Sequence, residues 1–284
     1  MILFLFRLLS RIPLRWLQAI GRIGGRLVYA LPGRYRERLQ ANARQAGYGD
    51  PAFARRAAAQ TGAMVMELPW VWLRTQESLK KIIDDNESLL DDAFASGRGV
   101  LILTPHLGGF EISGRHAAYG RDFTVMFRPP RKAALEPLVQ VARQHVSMRA
   151  VPANLQGVRA FLKALRAGHG VGMLPDQVPR EGDGVWAPFF GRQALTVTLP
   201  GKLAAATNPI VIMAACERLP KGQGWRMHYI QVDEPVPTDT VAQATFFNQL
   251  MEQMIRRFPE QYLWGYHRYK RPSHAPEPPA DQFP

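Results

Sequence analysis

Residues 99–111, GVLILTPHLGGFE, contain the pattern that decides the fold. The first five residues form a short apolar run, which is typical of a buried strand in a mainly parallel sheet. His106 and Glu111 follow this run with two glycines between them. Because functional side chains of open α/β sheets collect at the carboxyl ends of strands, this stretch predicts both a strand and a site.

Outward from this stretch, short apolar runs alternate with helical patterns. Strands are predicted at 99–103, 124–127, 170–174, 209–216 and 225–232, and helices at 34–60, 60–76, 86–96, 132–146, 155–167, 199–207 and 238–258. Asp50 followed by Pro51 has the residue types favoured at a helix N-cap and first helical position, so a new helix is expected to begin there. The alternation predicts an α/β fold, a single domain with a mainly parallel central sheet flanked by helices.

Composition excludes several classes of protein. The chain of 284 residues is 46% hydrophobic and contains one cysteine, Cys216. It therefore has material for a core, and it lacks the cysteines for a disulfide framework, a Cys-type zinc site or a CxxC redox pair. The formal net charge of +13 predicts an acidic partner, which could be nucleic acid, an anionic membrane or a phosphorylated substrate.

Much of the positive charge lies near the N-terminus. Residues 1–38 carry eight Arg and a single acid, Glu37, and are otherwise rich in Leu, Ile and Phe. On a helix the arginines share one side, and most of the large apolar residues occupy the other. This pattern predicts a basic amphipathic helix over 1–32 that binds a membrane surface through Arg7, Arg11, Arg15, Trp16, Arg22 and Arg26.

Three other interpretations of this segment remain open. A single membrane span is disfavoured because an Arg interrupts the apolar residues at least every seven positions up to Arg26, although snorkelling of arginine side chains could permit one. A cleaved signal peptide would have an uninterrupted apolar region, which is missing here. An ordinary surface helix would turn the same apolar face toward the protein. Nucleic acid is the least expected partner, because the rest of the chain has no recognisable nucleic-acid-binding motif.

The spacing of His106 and Glu111 suggests general-base chemistry. On one continuous helix the two side chains would point apart. If the two glycines form a turn and a helix begins near Phe110, Glu111 can reach back to the imidazole. A carboxylate bonded to one ring nitrogen fixes the tautomer of the other, which could then deprotonate a hydroxyl. A histidine that only caps a helix or pairs in the core is the competing interpretation.

Five blocks of sequence together resemble the late acyltransferases of lipid A biosynthesis, the lauroyl and myristoyl transferases. The blocks, in family order, are TPHLGGFE (104–111), FRPPRK (127–132), GVRAFLKALRAGHGVGMLPDQ (157–177), WAPFFG (186–191) and PEQYLWGYHRYK (259–270). The resemblance implies a glycerolipid acyltransferase-like fold over 33–271. The tail that follows, 272–284, is Pro-rich and is therefore expected to be disordered.

The resemblance also implies roles for individual residues. His106 matches the family's catalytic histidine and Glu111 its acidic partner in the HX4(D/E) motif. Asp176, in LPDQ, matches a second acidic position of the site. Arg128, Arg131 and Arg143 fall in or after the basic block and are expected to bind substrate, although RPPRK stands where many relatives have an Asn.

The family implies an acyl-carrier-protein thioester as donor, a lipid A precursor as acceptor, and no metal or other cofactor. It also implies work at the cytoplasmic face of the inner membrane. Three alternatives remain: the same chemistry on another phosphoglycolipid, hydrolysis of the thioester, and non-catalytic binding to an anionic membrane. The absence of a G-x-S-x-G sequence disfavours a serine hydrolase.

Overall fold

The computed structural model describes residues 2–127, 148–273 and 275–279. The helices in this part of the chain are α1 (Ile2–Ser10), α2 (Leu14–Ala30), α3 (Arg34–Gln45), α4 (Pro51–Leu73), α5 (Thr75–Leu79), α6 (Glu87–Ala95), α7 (Phe110–Ala118), α8 (Leu155–Arg166), α9 (Leu199–Thr207) and α10 (Thr240–Arg257). The strands are β1 (Ile82–Ile83), β2 (Val100–Leu103), β3 (Phe123–Phe127), β4 (Met148–Pro152), β5 (Gly170–Met173), β6 (Gly184–Phe189), β7 (Arg192–Val197), β8 (Ile210–Arg218) and β9 (Trp225–Val232).

Seven strands form one sheet in the order β1-β9-β8-β2-β5-β3-β4. Every neighbouring pair is parallel except β8 and β9. The predicted α/β domain with a mainly parallel central sheet flanked by helices is therefore confirmed. β6 and β7 form a separate antiparallel hairpin that the sequence analysis did not predict.

The sheet separates two cores because successive side chains of a strand point to opposite faces. Leu101 and Leu103 of β2 lie in the core formed with α3, α8, α9 and α10. Val100 and Ile102 lie in the core formed with α2, α6 and α7. Both faces of the sheet are covered, which explains why its central strands read as continuous apolar runs.

The N-terminal segment forms two helices, since α1 ends at Ser10 and α2 begins at Leu14, after Pro13. Small residues let α2 approach α4 closely. A Cβ added at Gly21 would lie 2.4 Å from the Gly62 carbonyl oxygen, and one added at Gly25 would lie 2.1 Å from that of Ala58. In the described part of the chain, no helix combines the length and hydropathy needed to cross a membrane.

Several boundaries differ from the prediction. Asp50 caps α4 through the Ala52 backbone N–H, as its position suggested, but α4 continues through Pro69 instead of dividing near residue 60. The helix predicted at 132–146 lies outside the described residues. Part of the tail expected to be disordered has contacts: the Trp186 indole donates a hydrogen bond to the Pro276 carbonyl, and Ala275 packs beside Trp186.

Candidate active site

The structure brings together two side chains that are 70 positions apart, His106 and Asp176. The imidazole Nδ1 lies 2.6 Å from Asp176 Oδ1, and the His106 backbone N–H donates to Oδ2 over 2.9 Å. The cause is the parallel pairing of β2 with β5, in which Leu103 and Met173 are register partners. The loops that leave these two strands therefore begin side by side at the carboxyl edge of the sheet.

Asp176 is almost wholly buried, with 2% of its surface exposed. Burial alone would raise the pKa of this carboxyl, but the charge and hydrogen bonds of His106 hold the pKa below its usual value. The Tyr262 hydroxyl also approaches Asp176, and burial, followed by the Asp176 charge, raises the pKa of Tyr262 well above its ordinary value. Asp176 is thus held as a carboxylate.

A carboxylate can only accept hydrogen bonds, so Nδ1 of His106 must carry the proton of their shared bond. In the neutral imidazole, Nε2 then has a free lone pair. The Gln177 side-chain nitrogen lies 3.1 Å from this atom and can donate to it. The arrangement therefore presents Nε2 as a hydrogen-bond acceptor, and a hydroxyl that took the place of the Gln177 amide could be deprotonated there.

Glu111 does not occupy the position predicted for it. Its carboxylate accepts hydrogen bonds from the Trp72 indole at 3.0 Å and from Arg115 at 3.3 Å, and no hydrogen bond joins it to His106 among the described residues. The predicted start of α7 near Phe110 is confirmed, but this start directs Glu111 along the helix toward Arg115, one turn ahead. The bond predicted for Glu111 is made by Asp176.

The C-terminal block 259–270 holds the loop that carries His106. The Leu263 N–H donates to the His106 carbonyl, and the Gly108 N–H donates to the Gln261 carbonyl, both at 3.1 Å. On the other side of the loop, the Gly109 N–H donates to the carbonyl of Cys216 in β8 over 2.7 Å. Burial raises the pKa of the Cys216 thiol well above its ordinary value, so this thiol is unsuited to nucleophilic chemistry.

His106 and Gln177 line a cavity of about 510 Å³. Much of its wall is apolar and comes from the ends of β3, β5 and β7 and from the first turns of α8 and α9, with Met126, Phe127, Val158, Met173, Val197 and Leu199. Arg180, Lys202 and Asp183 add charged groups. This volume lies within the range of small-molecule sites, and the wall is suited to an apolar chain.

The remaining predicted site residues divide into two groups. Arg128, Arg131 and Arg143 lie outside the described residues. Near the N-terminus, Arg7, Arg11, Arg15, Trp16 and Arg26 are exposed and Arg22 is half-buried. Within residues 2–127, 148–273 and 275–279, no three His, Cys, Asp or Glu side chains gather as a metal site would require.

Sequence reasoning missed Gln177, Tyr262 and Gln261 as parts of the site. Gln177 and Tyr262 lie within LPDQ and PEQYLWGYHRYK, two of the blocks that carry the resemblance. The resemblance marks such a block as important, but the residues that the block contacts depend on which strands are neighbours in the sheet. Without a strand order, the C-terminal block could not be assigned to the loop of His106.

The fold is an α/β sheet in which a carboxylate-bound histidine lines a largely apolar cavity, an arrangement typical of enzyme sites. The chain belongs to the bacterial lipid A biosynthesis acyltransferase family, whose model matches residues 1–271.

Two relatives in Escherichia coli K12 have more specific names. The chain is 26% identical over 214 residues to a lipid A biosynthesis palmitoleoyltransferase, covering 74% of this chain and 68% of the relative. It is 25% identical over 220 residues to a lipid A biosynthesis lauroyltransferase, covering 76% and 70%. The similarity supports transferase activity in lipid A biosynthesis.

Proposed function

We propose that this protein moves a fatty acyl chain from an acyl-carrier-protein thioester to a hydroxyl of a lipid A precursor. His106 is the general base and Asp176 orients it. The observation that carries the proposal is the 2.6 Å bond between His106 Nδ1 and Asp176 beside an apolar cavity. Glu111 acts indirectly, because its carboxylate accepts hydrogen bonds from Trp72 and Arg115 and so holds these side chains next to the histidine loop.

The reaction is a direct transfer between two bound substrates. Nε2 of His106 removes the proton of the acceptor hydroxyl as its oxygen attacks the thioester carbonyl carbon. The tetrahedral intermediate collapses with cleavage of the carbon–sulfur bond, and the proton on Nε2 passes to the departing thiolate. The acceptor hydroxyl binds where the Gln177 amide now approaches Nε2. The products are an ester and the free carrier thiol, so the step needs no metal or redox partner.

The cavity beside His106 holds the acyl chain of the donor. Its apolar wall favours a hydrocarbon because each buried methylene contributes roughly 0.8 kcal/mol. The phosphate groups of the acceptor require cations that stay charged, which suits arginine. We assign that role to Arg128, Arg131 and Arg143, together with Arg180 and Lys202 at the cavity. Exposed basic side chains also favour an acidic carrier protein.

The helices α1 and α2 bind the cytoplasmic surface of the inner membrane. Large apolar side chains project from them into solvent, including Phe4, Trp16, Ile20, Ile23 and Leu27, which are 49–72% exposed. Contiguous exposed apolar surface of this kind marks an interaction site, and the neighbouring arginines favour anionic lipid. An interfacial helix pair accounts for both features better than a span.

The test is a transfer assay with purified full-length protein, acyl-carrier-protein thioester and a lipid A precursor in vesicles. Mass spectrometry of the lipid should show the acceptor gaining one acyl group. His106→Ala should slow this by about 100-fold or more, whereas His169→Ala, at an exposed histidine outside the site, should not. Free fatty acid released equally with and without acceptor would indicate a hydrolase and overturn the proposal.

A further inference from the structure

A fully buried ion pair lies directly behind the histidine loop. Arg218, at the end of β8, binds Glu67 of α4 through two hydrogen bonds of 2.7 and 2.6 Å. The exposed fractions of the two side chains are 0% and 3%. Arg218 also donates to the carbonyl oxygen of Gly108 over 3.1 Å, two residues beyond His106. The pair therefore contacts the backbone of the loop that carries the proposed base.

The same pair reaches the N-terminal helices through Gln18 of α2. The Gln18 side-chain nitrogen donates to Glu67 Oε2 over 3.0 Å, and the whole residue is buried. Its other side-chain atom, Oε1, accepts no hydrogen bond from the described residues. Four side-chain and backbone groups thus form a continuous chain of hydrogen bonds, from Gln18 through Glu67 and Arg218 to Gly108.

Stability alone does not explain these residues. Replacing a buried ion pair by apolar residues of similar volume is often neutral or stabilising, and a buried amide with an unpaired oxygen has a desolvation cost. An apolar side chain at position 18 would fill the same space between α2 and α4 without that cost. What these polar groups do provide is a set of directed hydrogen bonds that fix the relative positions of α2, α4, β8 and the His106 loop.

We propose that Arg218 and Glu67 are positioning residues that hold the His106 loop, and that Gln18 couples this loop to the α1–α2 helix pair. The inference rests on the proposed function. Because α2 is packed closely on α4, a shift of α2 when α1 and α2 bind a lipid surface would pass through Gln18 to Glu67, Arg218 and the Gly108 carbonyl. The site is thereby best aligned when the protein is on the surface that carries its lipid substrate.

The first test is Gln18→Met in full-length protein, which removes the hydrogen bond to Glu67 and leaves the ion pair intact. We expect the variant to unfold at the same or a higher temperature than the wild type, yet to have a kcat about tenfold lower with an unchanged KM for the donor. Adding phosphatidylglycerol vesicles should raise the transfer rate of the variant by a smaller factor than that of the wild type. Tyr29→Phe is the control, because Tyr29 lies on α2 like Gln18, and this variant loses the hydrogen bond that Gln40 of α3 donates to the Tyr29 hydroxyl without changing a contact of Glu67.

The second test is the double variant Glu67→Met/Arg218→Met, which avoids leaving one charge buried alone. It should remain folded and lose about 100-fold in kcat, as expected for a misplaced catalytic group. Arg218→Lys keeps a positive charge but cannot make both hydrogen bonds to Glu67, so its kcat should lie between those of the double variant and the wild type. Folded variants with the kcat and vesicle response of the wild type would overturn the inference, whereas a wild type without transferase activity would overturn the proposed function.

Discussion

His106 and Asp176 each lie three residues beyond the end of a strand (103 to 106 and 173 to 176), and those two end residues are register partners. Because the two residues have the same offset from register partners on neighbouring parallel strands, their loops extend equally far beyond the carboxyl edge of the sheet. The 2.6 Å bond between the side chains is thus a consequence of the topology. The proposed base and the carboxylate that orients it depend on this register, and not on a local helical turn.

The backbone of the histidine loop should tolerate no side chain at Gly108. This residue has a φ of +59°, and an added Cβ would lie 2.0 Å from the Cys216 carbonyl oxygen. Gly108→Ala should therefore displace the loop, lowering the rate of acyl transfer about 100-fold and the free energy of unfolding by about 1–3 kcal/mol.

Gly114→Ala is the matched control, because this glycine lies inside α7 with nothing within 4 Å of the added atom. Alanine favours a helix interior, so the control should keep its activity and gain about 0.5–1 kcal/mol of stability. Kinetics and urea unfolding measure both effects. Equal behaviour of the two variants would refute a constrained loop.

The acid dependence of stability should reveal the charge on Asp176. Its folded-state pKa lies below the ordinary value, so its stabilising contribution is fully present above the unfolded pKa, about 3.9, and is lost as the pH falls through the folded pKa. Asp176→Asn should be less stable at pH 6 by about 1–3 kcal/mol. Its free energy of unfolding should also fall less steeply below pH 4. Urea titrations at a series of pH values measure this. If the free energy of unfolding fell equally steeply below pH 4 for the two proteins, Asp176 would not be a buried carboxylate.

The cavity should determine acyl-chain length. Val158 lies in its wall on α8, and a phenylalanine there would occupy space available to the chain. Val158→Phe should shift preference to shorter chains, with a loss in kcat/KM of about fourfold for each methylene displaced. Val241→Phe, at an exposed position of α10 outside the cavity, is the control. A series of acyl-carrier-protein donors tests this, and an unchanged profile would place the chain elsewhere.

Membrane binding should depend on the exposed apolar residues of α2. Ile20→Glu combined with Ile23→Glu places two charges where apolar side chains are about half exposed. Because each side chain can bury only about half of its surface further, the two together contribute about 1.5–3 kcal/mol, so affinity for anionic vesicles should fall about tenfold or more. Tyr119→Glu, at an exposed aromatic residue following α7, should bind as the wild type does. Co-sedimentation with vesicles measures this, and full binding by the double variant would exclude this face.

The fold could be predicted largely from sequence because its central strands are short apolar runs that alternate with helical patterns. The strand β2 and the helix α6 have the predicted bounds within one residue. The edge strand β4 was missed because MRAVP has no clear alternation. The hairpin of β6 and β7 was missed because its strands mix apolar residues with glycine, proline and polar residues. In the structure, Asn248 of α10 supports the hairpin by donating hydrogen bonds to the Pro188 carbonyl and the Thr196 hydroxyl.

The candidate site was harder to predict because its contacts are long-range. His106 was found from a local pattern, and Asp176 from its place in LPDQ. Glu111 was assigned the wrong hydrogen bond, since the spacing of His106 and Glu111 does not show that Trp72 and Arg115 compete for the carboxylate. Gln18, a polar residue of the N-terminal segment, is buried because α2 turns that part of its surface toward α4.

The most direct test compares Asp176→Asn with Glu111→Gln in the same acyl-transfer assay, both as folded full-length proteins. If Asp176 orients the base, Asp176→Asn should lower kcat by about 100-fold or more, because an amide cannot replace the charge that supports the imidazolium. Glu111→Gln should lower it less than tenfold, since an amide oxygen can still accept from Trp72. The reverse ranking, with Glu111→Gln inactive and Asp176→Asn close to the wild type, would contradict the account.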